Sequence, residues 1–429
     1  MYRGKIKHIL GDIAEGDRVK VIKEGKVYNG ILMPRSELGD SRHVVIKLEN
    51  GYNIGFNIDN IKIELISVRE KKKKEEKVEE EYSRENRPYV SILGTGGTIA
   101  SKIDYVSGAV HPAFSTSEIV NAIPELEDIA SLKTEIVFNI LSENMTPEHW
   151  RTIAREVAKA MNKSSGVVVA HGTDTIAYTA SAIAFMLSDI PKPVVLVGSQ
   201  RSSDRPSSDA SLNLISAVRV ALSDIAEVVA VMHAGSSDEG CAIQRATKVR
   251  KMHSSRRDAF KSIDSLPIGE VRGDKITTFQ EYNMRSEGEV KLDDRLETDV
   301  ALLKIYPGFP EQLFDYYIEN FRGIVIEGTG LGHVPENLIS KLEEARNKDM
   351  PVVMTSQTIF GRVNMKVYST GRKLLKAGVI SGRDMLPEVA LVKLMVALGR
   401  FKEYGEVRSF MERNIAGEVS ERSLYNTFF

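Results

Sequence analysis

The order of apolar and polar positions divides the chain into three blocks. From about Gly4 to Val68, short alternating runs follow one another: Arg18 to Ile22, Lys26 to Met33, His43 to Leu48, Tyr52 to Phe56 and Ile61 to Ile66. Alternation with period two marks half-buried strands. Turn residues separate the runs at Glu24-Gly25, Pro34 to Asp40, Glu49-Asn50-Gly51 and Asp59-Asn60. Asn-Gly tolerates the positive φ of a tight hairpin, so Asn50-Gly51 is the strongest of these signals. Five short strands in roughly 60 residues predict a small SH3-like β-barrel over residues 1–68. It carries no cluster of catalytic residue types, so it reads as a module that binds, positions or merely packs. From Arg69 to Glu81, twelve of thirteen residues are charged, with mixed signs. Such a run has no apolar face to bury, which predicts a solvated linker over 69–87.

From Pro88 the pattern becomes strand, loop, helix, repeated. Continuous apolar runs occur at Tyr89 to Leu93, Ile136 to Phe138, Gly166 to Ala170, Pro193 to Val197 and Ala226 to Met232. Runs without alternation are those of strands covered on both faces. Between them, Pro147 to Met161 opens on a Thr146 cap with Pro in its first turn, and Ser208 to Leu222 follows. Strands alternating with helices predict a doubly wound parallel sheet with helices on both faces. The stretch Leu266 to Asp293 is less regular and reads as a connector. Val300 to Ile305, Gly323 to Glu327, Pro351 to Thr355 and the helix Leu386 to Leu398 predict a smaller α/β domain. The expected boundaries are 88–297 for the larger domain with its connector and 298–429 for the smaller one.

Two of the strands end in unusual loops. Ser91-Ile-Leu-Gly-Thr-Gly-Gly-Thr-Ile-Ala100 and Ala170-His-Gly-Thr-Asp-Thr175 both pass abruptly from apolar residues to small and hydroxylic ones. Open α/β sheets gather their ligands at the carboxyl ends of strands. Thr95 and Thr98 on one loop can therefore converge with Thr173 and Asp174 on the other. Hydroxyls and an acid in one crevice suggest nucleophilic chemistry. Gly94 and Gly96 fit a dinucleotide fingerprint, but Ile99 stands where its third glycine belongs. Thr98 as a helix N-cap and Asp174 as a turn residue are the competing structural readings.

Composition narrows the field. The net charge is −1, so no global field attracts nucleic acid or membrane. Cys241 is the one cysteine, which excludes an intrachain disulfide framework and a cysteine-rich metal site. The eight histidines are scattered without metal-ligand spacing, so no metal is expected. No apolar run is long enough to span a bilayer, and the N-terminus lacks a signal-peptide core. A cytoplasmic protein is expected.

Four further segments join the two loops: Tyr105 to Val110, Leu141-Ser-Glu-Asn-Met145, Val197-Gly-Ser-Gln-Arg201, and Thr247-Lys-Val-Arg-Lys-Met-His253 through Asp258-Ala-Phe260. With these, the chain from about Pro88 to its C-terminus resembles the L-asparaginase/glutaminase family of amidohydrolases. Gly94-Thr-Gly-Gly-Thr-Ile-Ala100 and His171-Gly-Thr-Asp-Thr175 match the family's two signatures. The N-terminal barrel and charged linker are not features of free-standing asparaginases. Together with Arg201 to Asp209 and Lys251 to Arg257, they make the chain similar to the D subunits of archaeal glutamyl-tRNA(Gln) amidotransferases.

The resemblance implies roles. Thr98 is the nucleophile that forms an acyl intermediate, and Tyr105 is the tyrosine of a closing loop, Ser101 to Val110. Thr173, Asp174 and Lys248 form the second catalytic group, with Lys248 as the base. Ser142 and Glu143 hold the substrate's α-carboxylate and α-ammonium, with Gly97 and Gly172 beside them. Many asparaginases carry Gln where Glu143 stands, a departure that bears on glutamine preference. His171 is assigned to loop structure. The loop Glu327 to Gly332 faces a neighbouring subunit's site. The implied activity is glutamine hydrolysis, with ammonia passed to a partner, the amidotransferase's E subunit, that converts Glu-tRNA(Gln) to Gln-tRNA(Gln). This chain needs no cofactor; ATP and Mg2+ serve the whole complex through the partner, which also makes most tRNA contacts. A homodimer within a heterotetramer is expected. The alternatives are a free-standing L-asparaginase and a non-catalytic binding protein.

Overall fold

The computed structural model describes residues 5–33, 42–48, 53–68, 87–96, 101–103, 110–112, 123, 125–201 and 207–428. The expected linker, and with it most of 69–87, lies outside these residues.

The N-terminal block is a five-stranded antiparallel sheet of Arg18–Lys23, Lys26–Leu32, His43–Leu48, Asn53–Asn57 and Ile61–Ser67. In chain order its strands lie 4-3-2-1-5, so the first strand pairs with both the second and the last. Alternate residues Val19, Val21, Val44 and Ile46 point into a single core with Leu32 and Phe56. This is the small SH3-like barrel that the alternation predicts. A short helix, Lys5–Leu10, seals the core with Ile6 and Leu10. Six residues are too few to show a helical period, so the pattern of the chain does not reveal it.

The larger domain is built on an eight-stranded sheet. Five strands run parallel: Ser131–Ile136, Tyr89–Gly94, Gly166–Ala170, Val194–Val197 and Val228–His233. Three more extend it antiparallel: Cys241–Arg245, Gly269–Arg272 and Lys275–Thr278. Three expectations are corrected here. The sheet is parallel only in its first five strands, and part of the connector at Leu266 to Asp293 is a hairpin on its edge. Strands of four residues turning at Gly273, with φ +55°, are too short to display a period. The strand expected at Ile136 to Phe138 ends where that run begins.

Why the strands read as continuous apolar runs is visible in their packing. Val168, Ala170, Val195 and Val197 enter one core, under the helix Ala210–Ala221. Their neighbours Val167, Val169, Val194 and Leu196 enter the other, under the helices Pro147–Met161 and Ile176–Met186. Each strand thus buries both faces. Pro147–Met161 starts as expected: Thr146 and His149 form a capping box, with Pro147 in the first turn.

The smaller domain has a four-stranded parallel sheet: Val300–Lys304, Gly323–Gly328, Val352–Ser356 and Ile380–Ser381. The helix Pro387–Arg400 packs on this sheet and on Ile176–Met186 of the larger domain. Its Val389, Leu394 and Val396 share a core with Trp150, Phe185 and Met186, so one apolar layer joins the two domains.

Candidate active site

The site forms where the neighbouring strands Tyr89–Gly94 and Gly166–Ala170 end side by side. The first loop is tied to the second at once. The Thr95 amide and hydroxyl both donate to the carbonyl oxygen of Ala170, each at 3.0 Å. Thr95 is therefore a buried structural residue. Gly96 has φ +107°, and a Cβ there would lie 2.1 Å from the Ile140 carbonyl oxygen, so only glycine fits this crossing. Gly97, Thr98 and Tyr105 lie outside the described residues. The strands Ser101–Ile103 and Val110–Pro112 pair antiparallel on either side of the Tyr105 segment.

The second loop turns through Thr173–Thr175 before the helix Ile176–Met186 begins. His171 braces it from beneath. Its Nδ1 lies 2.7 Å from the Gly172 carbonyl oxygen and its Nε2 2.8 Å from the Thr179 hydroxyl. A carbonyl only accepts, so Nδ1 carries the proton and Nε2 accepts from Thr179. Burial lowers the pKa of His171 to about 4, although the Gly172 hydrogen bond acts in the opposite direction. A neutral, fully paired imidazole is a brace for the loop, in keeping with its expected structural part.

Ser142 and Glu143 stand on a short turn, Ser142–Asn144, which packs directly on the second loop. The Thr175 hydroxyl donates to the Ser142 carbonyl oxygen at 2.8 Å. Ser142 is buried and Glu143 exposed. Gly172 makes this approach possible, because a Cβ there would sit 2.6 Å from the Cβ of Ser142. Four expected site residues, Ser142, Glu143, Gly172 and Thr173, are thus brought together, with Asp174 beside them.

Lys248 is not among them. Its ammonium lies 2.8 Å from Asp384 Oδ2 in the smaller domain, and both side chains are 1% exposed. The lysine at the site is Lys251. Its Nζ is 2.9 Å from Thr173 Oγ1 and 2.7 Å from Asp174 Oδ1. The reason is strand geometry. Val249–Lys251 pairs antiparallel with Phe260–Ser262, and side chains on an extended segment alternate between faces. Lys248 and Arg250 face the smaller domain, reaching Asp384 and Glu388. Val249 and Lys251 face the larger domain, one in its core and the other at Thr173. Period-two counting from Val249 is the signal that separates the two lysines.

The Val197-Gly-Ser-Gln-Arg201 loop closes another side. Buried Asp209 accepts from the amides of Gln200 and Arg201, at 3.0 and 2.9 Å, and from Asn213 Nδ2. Among the described residues, no group of three or more His, Cys, Asp or Glu side chains is gathered as a metal site would require. No helix among them is long and apolar enough to cross a membrane.

A sheet with hydroxyls, an acid and a lysine gathered at its strand ends, completed by a smaller α/β domain, defines an asparaginase-type amidohydrolase. Comparison with known proteins agrees. The family model "Asparaginase, N-terminal" matches residues 89–284, "Glutaminase/Asparaginase C-terminal domain" matches 299–411, and "GatD N-terminal domain" matches 13–66. The glutamyl-tRNA(Gln) amidotransferase D subunit of Pyrococcus furiosus is 53% identical over 427 residues, covering 97% of each chain. The corresponding D subunit of Methanothermobacter thermautotrophicus is 50% identical over 427 residues, covering 98% of each. Among solved structures, the thermostable L-asparaginase of Thermococcus kodakarensis has a TM-score of 0.72 and 36% identity, with 78% of this chain covering 100% of it. L-asparaginase I of Vibrio cholerae has a TM-score of 0.69 and 30% identity, with 78% of this chain covering 99% of it. The chain belongs to the asparaginase/glutaminase family, in the branch whose curated members are amidotransferase D subunits.

Proposed function

We propose that this chain is the glutaminase subunit of a tRNA-dependent amidotransferase. It hydrolyses the side-chain amide of glutamine and supplies ammonia to a partner, the E subunit, which converts Glu-tRNA(Gln) to Gln-tRNA(Gln) with ATP. The observation that carries this reading is the Lys251–Thr173–Asp174 cluster, set at the carboxyl ends of an asparaginase-type sheet in a chain that also matches the GatD N-terminal domain at residues 13–66.

The chemistry follows from the residue types. The Thr98 hydroxyl attacks the amide carbonyl, its proton passes to the departing nitrogen, and ammonia leaves an acyl-threonine ester. Water then cleaves the ester, releasing glutamate and restoring the hydroxyl. Tyr105 on its closing loop assists Thr98. Thr173 and Lys251 handle the proton of the attacking group: Lys251 Nζ lies 2.9 Å from the Thr173 hydroxyl, which relays the proton between the attacking group and this nitrogen. Asp174, at 2.7 Å, holds Lys251 in that line. Ser142 receives the substrate α-carboxylate, and Glu143 with Asp174 the α-ammonium. Lys251 thus takes the role that the family resemblance implies for Lys248.

ATP and Mg2+ belong to the partner, as do most tRNA contacts, since this chain's net charge of −1 provides no general attraction for phosphate. The working assembly is a cytoplasmic heterotetramer around a homodimer of this chain.

The test is a glutaminase assay of the full chain with its partner and acceptor tRNA. Thr98→Ala and Lys251→Met are each expected to lower kcat by at least about a thousandfold with circular dichroism unchanged. Near-normal hydrolysis by Thr98→Ala would overturn the assignment. A strong preference for asparagine over glutamine, with no stimulation by the acceptor, would instead make the chain a degradative asparaginase.

A further inference from the structure

We propose that the buried Lys248–Asp384 pair positions Lys251, fixing from the smaller domain the strand that carries this lysine to Thr173 and Asp174. The proposal rests on the reading of Lys251 above.

The pair lies at the root of the Lys251 strand. Lys248 donates to Asp384 Oδ2 at 2.8 Å and approaches the Asp384 carbonyl oxygen at 3.4 Å. The Lys248 carbonyl oxygen accepts from the Ile263 amide at 2.8 Å, which ties the root to the paired strand Phe260–Ser262. One residue earlier, the Thr247 hydroxyl donates to the Ala416 carbonyl oxygen at 2.8 Å. Two residues further along the ribbon, Arg250 approaches Glu388 at 3.4 Å. Three successive anchors therefore reach from the ribbon into the smaller domain and the C-terminal segment.

Those anchors are themselves held. The Asp384 carboxylate accepts from the Ser420 amide at 3.1 and 3.0 Å and lies 3.4 Å from Arg362 Nη2. Arg362 also donates to the carbonyl oxygens of Ser420 and Glu421. Ala416 is fixed by Glu418, which accepts its amide at 2.7 Å and pairs with the fully buried Lys393 at 2.5 Å. Burial opposes ionisation of Asp384, but the Lys248 charge and the hydrogen bonds from Lys248 and Ser420 outweigh it and keep its pKa below the ordinary value.

A buried ion pair is a poor source of net stability, because desolvation cancels most of the attraction. Its directional requirement is another matter. Lys251 holds Thr173 at 2.9 Å and Asp174 at 2.7 Å, and a displacement of about 1 Å directly away from them takes both beyond hydrogen-bond range. The Lys248–Asp384 pair opposes that displacement across the domain boundary. Most of the grip on glutamine falls to Ser142 and Glu143 on the Ser142–Asn144 turn, with Asp174 sharing only the α-ammonium, so loss of the pair should act chiefly on turnover and little on binding.

The experiment uses the full chain with its partner. Lys248→Met is expected to lower kcat about 10–100-fold with KM within about threefold. Lys248→Met leaves the buried Asp384 carboxylate with only the more distant Arg362 and the Ser420 amide, so its thermal midpoint also falls. The double variant Lys248→Met/Asp384→Asn removes that charge, while the amide oxygen of the replacement side chain still accepts from Ser420. It should regain midpoint over the single variant and keep the low kcat. Recovery of kcat together with the midpoint would show a packing role only and overturn the proposal. If neither folds, Thr247→Val, which deletes one hydroxyl group, decides: kcat lowered about threefold or more at an unchanged KM supports positioning, and unchanged kcat overturns it. Lys251→Met is the control. Full activity there removes the Lys251 reading; an inactive Lys251→Met beside a fully active Lys248→Met refutes the positioning role alone.

Discussion

Gly172→Ala isolates how closely the two substrate loops must approach. Gly172 has φ −67° and ψ 140°, a conformation open to any residue, so the substitution introduces no backbone penalty. Its effect comes from contact. The new Cβ would lie 2.6 Å from Ser142 Cβ and 2.9 Å from Ser142 Oγ, where ordinary contact is 3.4–4 Å. Ser142 Cβ is fixed to its backbone, so the whole Ser142–Asn144 turn must retreat by about 1 Å. Overpacking of this kind costs about 1–3 kcal/mol of stability, which a protein of this size can absorb. The functional loss is larger, because a displacement of about 1 Å in a substrate-gripping group costs on the order of 100-fold in rate. Steady-state glutaminase kinetics, with the thermal midpoint measured alongside, is the assay. The expected result is kcat/KM lowered by about 30–300-fold with KM raised, and a midpoint lowered by only a few degrees. A variant with wild-type kcat/KM would refute the argument, since it would mean that Ser142 can move by that distance without consequence.

Two other predictions concern stability. Glu418→Gln strands the fully buried Lys393 ammonium and weakens the acceptor of the Ile415 and Ala416 amides. A loss of about 3–5 kcal/mol is expected, read as a lowered denaturation midpoint of the smaller domain; a shift under about one degree would contradict it. His171 titrates at about 4 when folded against about 6.5 when unfolded, so the unfolded chain binds the proton first. Its contribution is therefore intact above about pH 6.5 and is lost as pH falls toward about 4, on the order of 3 kcal/mol in all. Acid unfolding of the wild type beside His171→Asn measures this: the variant should lose less stability over that interval, and identical pH slopes would sink the assignment.

Much of this protein is legible before folding. The barrel alternation, the charged run after it and the two-sided apolar strands are local patterns, set by the repeat of strand and helix geometry. The Gly-Thr and Thr-Asp loops are legible for a related reason: an apolar strand that stops in small, hydroxylic residues has no core left to fill. Period two separates Lys251 from Lys248 and Arg250, but local pattern does not settle which of the two faces meets Thr173. All three are charged, near one another in the chain and close to the same strand end. Only the pairing of Val249–Lys251 with Phe260–Ser262, and the docking of the smaller domain against it, sends Lys248 to Asp384 and Lys251 to Thr173. The edge hairpin at Gly269–Arg272 and the helix Lys5–Leu10 escape notice likewise, being shorter than the period that would reveal them. Sequence determines which residues seek burial and which loops can carry chemistry; the direction in which Lys248 points is decided by Asp384, 136 residues away, because a buried charge must find its counter-charge wherever the fold has placed it.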